Sequence, residues 1–328
     1  MSRQDNALRW DGGPGHYEVY YLSLTDRGSG CGFWIRYTMV APLDGEATCS
    51  LWFMAMDPND PSANVGRKAS WPAAELAAEA DPFSLRVEQA TLDERSARGA
   101  FEDVAWDLTW EPATRGYQHV SQLLQRAKIA KTILTLPQPA LAISGSITWA
   151  GRTIELDDAH GGQAHLWGSK HAGRWAWIHA NDLETTHGER RPGTFVDGVS
   201  VYVPRFGREV GPSTPVVAHV GGADFLSTGP LQVTTNDSHF ALTSWSFEAN
   251  AGGRKLVGDV VARREDLVGV TYHDPDGQLA YCYNSEVATL QLALWDGNTL
   301  LERLSAPGRA HFEYAQREPI EGIELAVR

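Results

Sequence analysis

Cysteine is scarce in this chain, which has three cysteines among 328 residues. Cys31, Cys49 and Cys282 stand far apart, and none of them forms the Cys-x-x-Cys pair used by zinc sites and redox motifs. The sequence therefore predicts neither a zinc site nor a disulfide framework.

Positive charge and long apolar runs are also in short supply. Lys and Arg total 28 against 41 Asp and Glu, a net charge of −13, which argues against a nucleic-acid partner and a polybasic membrane anchor. No apolar run approaches the ~18–20 residues of a membrane helix, and the polar start, Met1–Trp10, lacks a signal-peptide pattern. We expect a cytoplasmic protein without membrane insertion, and its even acidic balance favours a monomer or weak homodimer.

Tryptophan, in contrast, is abundant, with twelve residues. Surplus tryptophan indicates large buried rings, a ligand-facing wall, or both. Apolar residues make up 42% of the chain and charged residues 21%, so a sizeable core is expected. At roughly 150 residues per domain, the length predicts two domains.

Short strands and turns dominate the rest of the pattern. Apolar runs such as Phe33–Val40 are bounded by turn signals about every 8–12 residues, which predicts an all-β fold of two antiparallel barrels or sandwiches side by side. Two short helices are predicted, at 72–80 and near 117–136, from proline placement and helical spacing. Placing the break after the second helix gives β domains at 1–145, including this linker helix, and 146–328.

A predicted hairpin in the first half carries the first aromatic patch. Asp44-Gly45 is a strong signal for a two-residue turn, and in that register Tyr37 lies opposite Trp52. Both faces are rich in apolar residues, so one is expected to meet a cavity and the other the second domain or a helix. Arg36 is expected to find an acidic or carbonyl partner, in a site or in a loop. The candidate ligand-binding residues here are Trp34, Arg36, Tyr37, Trp52 and Met54.

The densest chemistry lies at residues 160–182. Strand alternation puts four candidate ligand-binding residues on one face: Trp175, Trp177, His179 and Asn181. This face is too polar for a plain core and too aromatic for a solvated surface, whereas a cavity wall fits both. A tryptophan-rich core with hydrogen-bonded histidines is the alternative. His165 and Trp167 share a face of the preceding strand, so the two stripes are expected to meet across a hairpin.

Other catalytic constellations are not supported. Four histidines lie close in sequence without His-x-His or His-Glu-x-x-His spacing, so no metal is expected. No Gly-x-Ser-x-Gly elbow indicates a serine triad. Gly221–Asp224 lacks the frame of a phosphate-binding loop.

Two aspartates end apolar strands. Asp57 precedes Pro58 at a predicted barrel mouth, and Asp182 follows the Trp175–Asn181 strand. A carboxyl group at the edge of an apolar pocket has a raised pKa and can protonate an alkene or enol. The competing interpretation is a turn or cap aspartate.

Four short aromatic motifs resemble a known group: FWIRY at 33–37, SLWFMAMDP at 50–58, HLWG at 165–168 and WAW at 175–177. They are similar to the hydroxyneurosporene synthase/AttH-like superfamily, which is related to tocopherol cyclases and lipocalin-like fungal pericyclases. The resemblance implies two lipocalin-like (calycin) β domains and an apolar ligand such as a polyene, terpenoid, polyketide or lipid. It implies chemistry that ranges from hydration to cyclisation and pericyclic ring closure.

The resemblance carries over residue by residue only at His165, Trp167 and Gly168 in one motif and at Trp34, Arg36 and Tyr37 in another. Leu166 stands where relatives often have an acid, and this departure weakens the case for an acid-catalysed cyclase.

Two functions of one apolar cavity follow. The first is a cofactor-free enzyme, a hydratase (lyase), isomerase or cyclase, that shapes a hydrophobic small molecule. In it His165 or Asp57 handles protons, and tryptophan faces stabilise positive charge. The alternative is a non-catalytic carrier or sensor of a lipid-like ligand, and a third option is a structural module whose tryptophans fill cores. No cofactor is expected, and the ligand is expected near the junction of the domains.

Overall fold

The computed structural model describes residues 6–120, 131–205 and 207–327. The fold is all-β, as predicted, with two large and almost entirely antiparallel sheets. The strands of the first sheet are β1 (His16–Thr25), β2 (Gly32–Ala41), β3 (Thr48–Met56), β4 (Val65–Pro72), β5 (Leu76–Ala80), β6 (Phe83–Val87), β7 (Ala90–Asp93), β8 (Ser96–Phe101), β9 (Val104–Trp110), β10 (Tyr117–Gln118), β11 (Thr132–Trp149) and β12 (Arg152–Gly168).

The second sheet follows in the chain. Its strands are β13 (Arg174–Asn181), β14 (Glu184–Thr185), β15 (Phe195–Arg205), β16 (Arg208–Ser213), β17 (Val216–Val220), β18 (Ala223–Ser227), β19 (Asp237–Ala241), β20 (Ser244–Ala251), β21 (Arg254–Val261), β22 (Val268–His273), β23 (Leu279–Asp296), β24 (Thr299–Gln316) and β25 (Leu325–Val327). The helical segments described are α1 (Pro230–Thr235) and the 3₁₀ turns Pro61–Ala63, Ala73–Glu75 and Arg264–Asp266. No helix within the described ranges has both the length and the apolar character that crossing a membrane requires.

Each sheet packs around its own core, and one of the two is nearly barrel-shaped; we use the names first and second barrel for the two units. The first sheet runs in the order β4-β3-β2-β1-β12-β11-β9-β8-β7-β6-β5, and the second contains β18-β17-β15-β13-β24-β23-β21-β20-β19. Large buried rings fill both interiors. They are Phe33, Phe53, Trp106 and Trp149 in the first barrel and Trp245, Phe247, Tyr283 and Phe312 in the second. A ligand therefore finds little room inside either barrel.

The change from one sheet to the other falls between Gly168 and Arg174. The sequence-based division at residue 145 lies inside β11, because this long strand pairs with both β9 and β12 of the first sheet.

The described structure has strands in parts of both segments that were predicted to be helical. The helix prediction for 72–80 is wrong, because β5 pairs with β6 and follows β4 after one 3₁₀ turn. The backbone N–H and C=O groups of β5 form hydrogen bonds with β6, whereas in a helix they would bond to one another. Of the helix predicted near 117–136, both ends are strand, in β10 and β11, and residues 121–130 lie outside the described part of the chain.

The predicted hairpin exists, but its register is shifted by one residue. Strands β2 and β3 are joined by the segment 42–47 rather than by a two-residue turn, so Arg36 lies opposite Trp52 and Tyr37 opposite Leu51. A one-residue shift moves every side chain to the other face relative to its predicted partner. Tyr37 therefore belongs to the first core, whereas Trp34, Arg36, Trp52 and Met54 share the outer face.

The outer faces of β1–β3 and β12 pack against β13, β15, β23 and β24, and we call the contact region the inter-barrel layer. Two glycines allow this close approach. A Cβ on Gly32 would lie 2.4 Å from the Glu286 carbonyl oxygen, and one on Gly162 would lie 2.7 Å from His179 Nε2. The layer has apolar clusters on either side of a polar centre.

Candidate functional site in the inter-barrel layer

The centre of the inter-barrel layer is unusually rich in ionisable side chains. Its buried polar residues are Ser23, Arg36, His119, His179, Asp197, Asn284, Glu286 and His311. Burying charges and unpaired polar groups is costly, so such a set is seldom retained for packing alone. Clusters of this kind are candidates for function.

Asp197 organises one end of the layer. His179 Nδ1 lies 3.0 Å from Asp197 Oδ2, His119 Nε2 lies 2.9 Å from Oδ1, and Trp177 Nε1 donates to the same carboxylate at 3.2 Å. Burial alone would raise the pKa of Asp197, but the two histidines outweigh it and lower the pKa below its ordinary value. Asp197 is therefore a buried anion with hydrogen bonds to His179 and Trp177 and with His119 within ion-pair distance.

A second polar pair at this end of the layer, Glu286 and His311, is uncharged. His311 Nδ1 lies 2.6 Å from Glu286 Oε2. Burial raises the pKa of Glu286 to about 8 and lowers that of His311 to about 3. At neutral pH both groups are neutral, and His311 stacks on His179 with ring centroids 5.9 Å apart.

The middle of the layer retains accessible surface. Tyr21 and Glu313 are both partly exposed although they lie between the two sheets. Trp175 Nε1 donates to Glu313 Oε1, and the Tyr21 ring meets Trp177 edge-on at 5.6 Å. Burial raises the pKa of Glu313 above its ordinary value. A carboxyl group with a raised pKa thus lies among aromatic rings.

A cleft of about 500 Å³ opens beside this centre, and its walls come from both barrels. Arg36 lies in its lining with Trp52, Lys68, His171 and Tyr272. The guanidinium carbon of Arg36 is 4.3 Å from the Tyr272 ring centroid, 5.2 Å from Trp34 and 5.4 Å from Trp52. The cleft thus presents a cation that lies against three aromatic rings.

Sequence comparison finds distant relatives. No protein-family model matches the chain. Two curated relatives from Mycobacterium tuberculosis strains, uncharacterized proteins Rv0493c and MT0513, are each 27% identical over 289 residues, covering 87% of this chain and 83% of theirs.

Solved structures are similar across nearly the whole chain. An AttH-like protein from Nitrosomonas europaea matches with a TM-score of 0.58 at 13% identity, covering 92% of this chain and 93% of the other. The chain has the AttH-like, lipocalin-like fold. CghA in complex with Sch210972 matches at 0.60 and 9%, covering 93% and 89%. Kievitone hydratase from Nectria haematococca matches at 0.53 and 9%, covering 92% and 89%.

Within this AttH-like fold, one predicted stripe faces the inter-barrel layer. Trp175, Trp177 and His179 all take part in the contacts described above, and Asn181 Nδ2 donates to the Leu141 carbonyl of the first barrel at 3.3 Å. Their role in ligand binding stays a prediction.

His165 and Trp167 do not meet that stripe. Strand β12 belongs to the first sheet and β13 to the second, so the expected hairpin between them does not form. His165 Nε2 lies 2.8 Å from Glu18 Oε1, and its ring stacks on Tyr20 at 4.1 Å and packs against Trp167 at 4.7 Å. Both residues lie on the side of the sheet that faces the first core rather than the inter-barrel layer.

Glu18 is the hub of this separate network. It accepts backbone N–H groups of Arg9 and Trp10 and contacts His16 and His165. Burial would raise the pKa of Glu18, but hydrogen bonds from the two histidines outweigh it and lower the pKa from 4.5 to about 2. The network fastens the N-terminal segment to the barrel.

The depressed pKa of Glu18 predicts a pH-dependent contribution to stability. Above pH 4.5 the ionised Glu18 contributes on the order of 3 kcal/mol, lost as pH falls through about 2. Urea unfolding of wild type and Glu18→Gln should show a difference at pH 7 that shrinks by roughly half at pH 3. A difference that is the same at both pH values would contradict this assignment.

Asp57 does not have the raised pKa expected of a pocket acid. Arg152 Nη2 donates to Asp57 Oδ2 at 2.9 Å, and the Asn59 N–H donates to Oδ1. Burial by itself would raise the pKa of Asp57, but the hydrogen bond from Arg152 and the other partners together have the larger effect, and the pKa is lowered. Asp182 is likewise tied to basic residues, Arg27 and Arg190. The structure favours the turn-aspartate interpretation.

Sequence reasoning missed Tyr21, Asp197, Glu286, His311 and Glu313. A signal for three of them was present, because Glu286, His311 and Glu313 interrupt apolar strands at alternating positions. Within the described residues no group of three or more His, Cys, Asp or Glu side chains could hold a metal ion.

Proposed function

We propose that the protein is a cofactor-independent enzyme, a hydratase, isomerase or cyclase, that acts on a hydrophobic small molecule in the inter-barrel layer. The observation that carries this proposal is Glu313, a partly exposed carboxyl group next to Trp175 and Tyr21. The match to kievitone hydratase supports hydration as a chemistry that this fold accommodates. A terpenoid, polyene or polyketide would supply the apolar body and the alkene or enol.

Glu313 is the proton donor in this scheme, in place of His165 or Asp57. Its O–H bond breaks, and the proton adds to one carbon of the alkene. The positive charge formed on the other carbon lies near the Trp175 and Trp177 rings, whose faces stabilise cations. Loss of a neighbouring proton gives an isomer, and addition of water followed by loss of its extra proton gives an alcohol. Attack by an internal double bond or hydroxyl, followed by loss of a proton from the resulting cation, gives a ring. In each case Glu313 regains a proton from the product or solvent.

The filled barrels support a site between them. Lipocalin-like barrels can hold one small ligand inside, but the rings of Trp149 and Trp245 are fully buried in these two interiors. Partly exposed apolar side chains pack with Tyr21 against the clusters of the layer: Ala172, Val199, Val201 and Leu166.

The test is a panel of terpenoid, polyene and polyketide alkenes incubated with the purified protein in D₂O. We expect at least one to be converted to a product that carries one solvent-derived deuterium on carbon, detected by mass spectrometry. Binding without conversion would instead support a carrier or sensor, and conversion without deuterium would contradict proton donation by Glu313.

A further inference from the structure

Arg36 is a buried cation that packs against aromatic rings. Its residue is 6% exposed, its Nε has no hydrogen-bond partner, and among the described residues it forms no ion pair. The sequence-based expectation of an acidic or carbonyl partner is therefore not met by any described residue. A guanidinium in this condition carries a desolvation cost that a bound anion would offset.

The aromatic rings around Arg36 orient it for such an anion. Trp34, Trp52 and Tyr272 lie 4.3–5.4 Å from its guanidinium carbon. Rings stacked on a guanidinium occupy its faces and leave its N–H edge for in-plane acceptors. A carboxylate is planar and matches that edge with two parallel hydrogen bonds.

Lys68 is a second cation of the cleft, and the lining also contains four acids. Lys68 Nζ lies 4.3 Å from the Trp52 ring, which also contacts Arg36. The buried acid of the wall, Asp274, pairs with His171 and Arg317, and the exposed Asp276 pairs with Lys170. Asp44 and Glu46 also line the cleft, and both are exposed.

The position of Arg36 links the cleft to the proposed reaction centre. Arg36 is the cross-strand partner of Tyr21 on one side and of Trp52 on the other. Arg36 thus lies between the cleft and Tyr21, whose ring meets Trp177 edge-on. The cleft volume of about 500 Å³ suits a drug-sized molecule.

We propose that the cleft binds the carboxylate of an amphiphilic substrate, with Arg36 on the head group and the flat apolar body directed into the inter-barrel layer. This inference rests on the proposed function for the placement of the body, and it adds the substrate class. Arg36 is a specificity-determining residue in this account.

The experiment uses two fluorescent probes that differ in the head group, pyrene-1-butyrate and pyrene-1-butanol. Binding is followed by energy transfer from tryptophan. Wild type should bind the carboxylate about 10- to 100-fold more tightly than the alcohol, which is the range of a charge-assisted hydrogen bond. Arg36→Gln should erase this preference by weakening only the carboxylate, and Arg36→Lys should retain part of it.

Arg98→Gln is the matched control, because Arg98 is an exposed arginine paired with Asp107 on the surface of the first barrel. It should leave both affinities unchanged. Equal binding of the two probes by wild type, or equal weakening of both by Arg36→Gln, would overturn the carboxylate subsite and leave the proposed enzyme standing. Binding of neither probe would overturn both proposals.

Discussion

Replacing Glu313 with glutamine is expected to slow conversion of any alkene that the wild type turns over by about 10²- to 10⁴-fold, the usual contribution of a general acid. Glutamine keeps the size of the side chain and can still accept the Trp175 indole N–H. It cannot deliver a proton at the carbon. The readout is the initial rate of product formation, followed by chromatography.

The Glu313→Gln variant separates chemistry from binding. Its affinity for pyrene-1-butyrate should stay within a few-fold of wild type, since the aromatic walls and Arg36 are unchanged. Glu248→Gln is the matched control, because Glu248 is an exposed glutamate on the second barrel paired with Lys255. If Glu313→Gln turned over substrate as fast as Glu248→Gln, another group would have to be the acid.

Replacing Asp197 with alanine is expected to lower the free energy of unfolding by about 3–5 kcal/mol, the usual effect of removing one partner from a buried ionic network. The change leaves the buried N–H groups of His179 and Trp177 without their acceptor and removes the anion beside His119. Asp197→Asn keeps an acceptor and should cost less. Urea unfolding followed by far-UV circular dichroism measures both.

A surface aspartate supplies the comparison for Asp197. Asp107 forms an ion pair with Arg98, but both partners are exposed, and such pairs contribute little. Asp107→Ala should therefore unfold almost as wild type does. Equal destabilisation by Asp197→Ala and Asp107→Ala would show that the buried network does not hold the barrels together.

Local patterns predicted a part of this molecule well. The all-β class and the shared face of Trp175, Trp177 and His179 follow from the two-residue period of a strand, which does not depend on how the strand is connected. The side of the sheet on which Tyr37 lies relative to Trp52, in contrast, depended on the length of the turn between β2 and β3. Asp44-Gly45 lies within a longer turn, and one extra residue reversed the assignment.

Long-range partners account for most of the remaining differences. Asp57 looks like a free acid in the sequence, but its partner Arg152 lies 95 residues away. His165 is tied to Glu18, 147 residues away. Glu313 becomes a candidate only once β13 and β24 pair and bring it beside Trp175. Sequence alone does not determine which strands are neighbours.

The central claim is that the ligand lies between the barrels rather than inside one of them. A crystal structure of the protein with pyrene-1-butyrate tests it most directly. We expect the probe to bind in the inter-barrel layer, with its carboxylate on Arg36 and its rings near Tyr21, Trp175 and Glu313. Density for the probe within the core of either barrel, with the layer unoccupied, would contradict it.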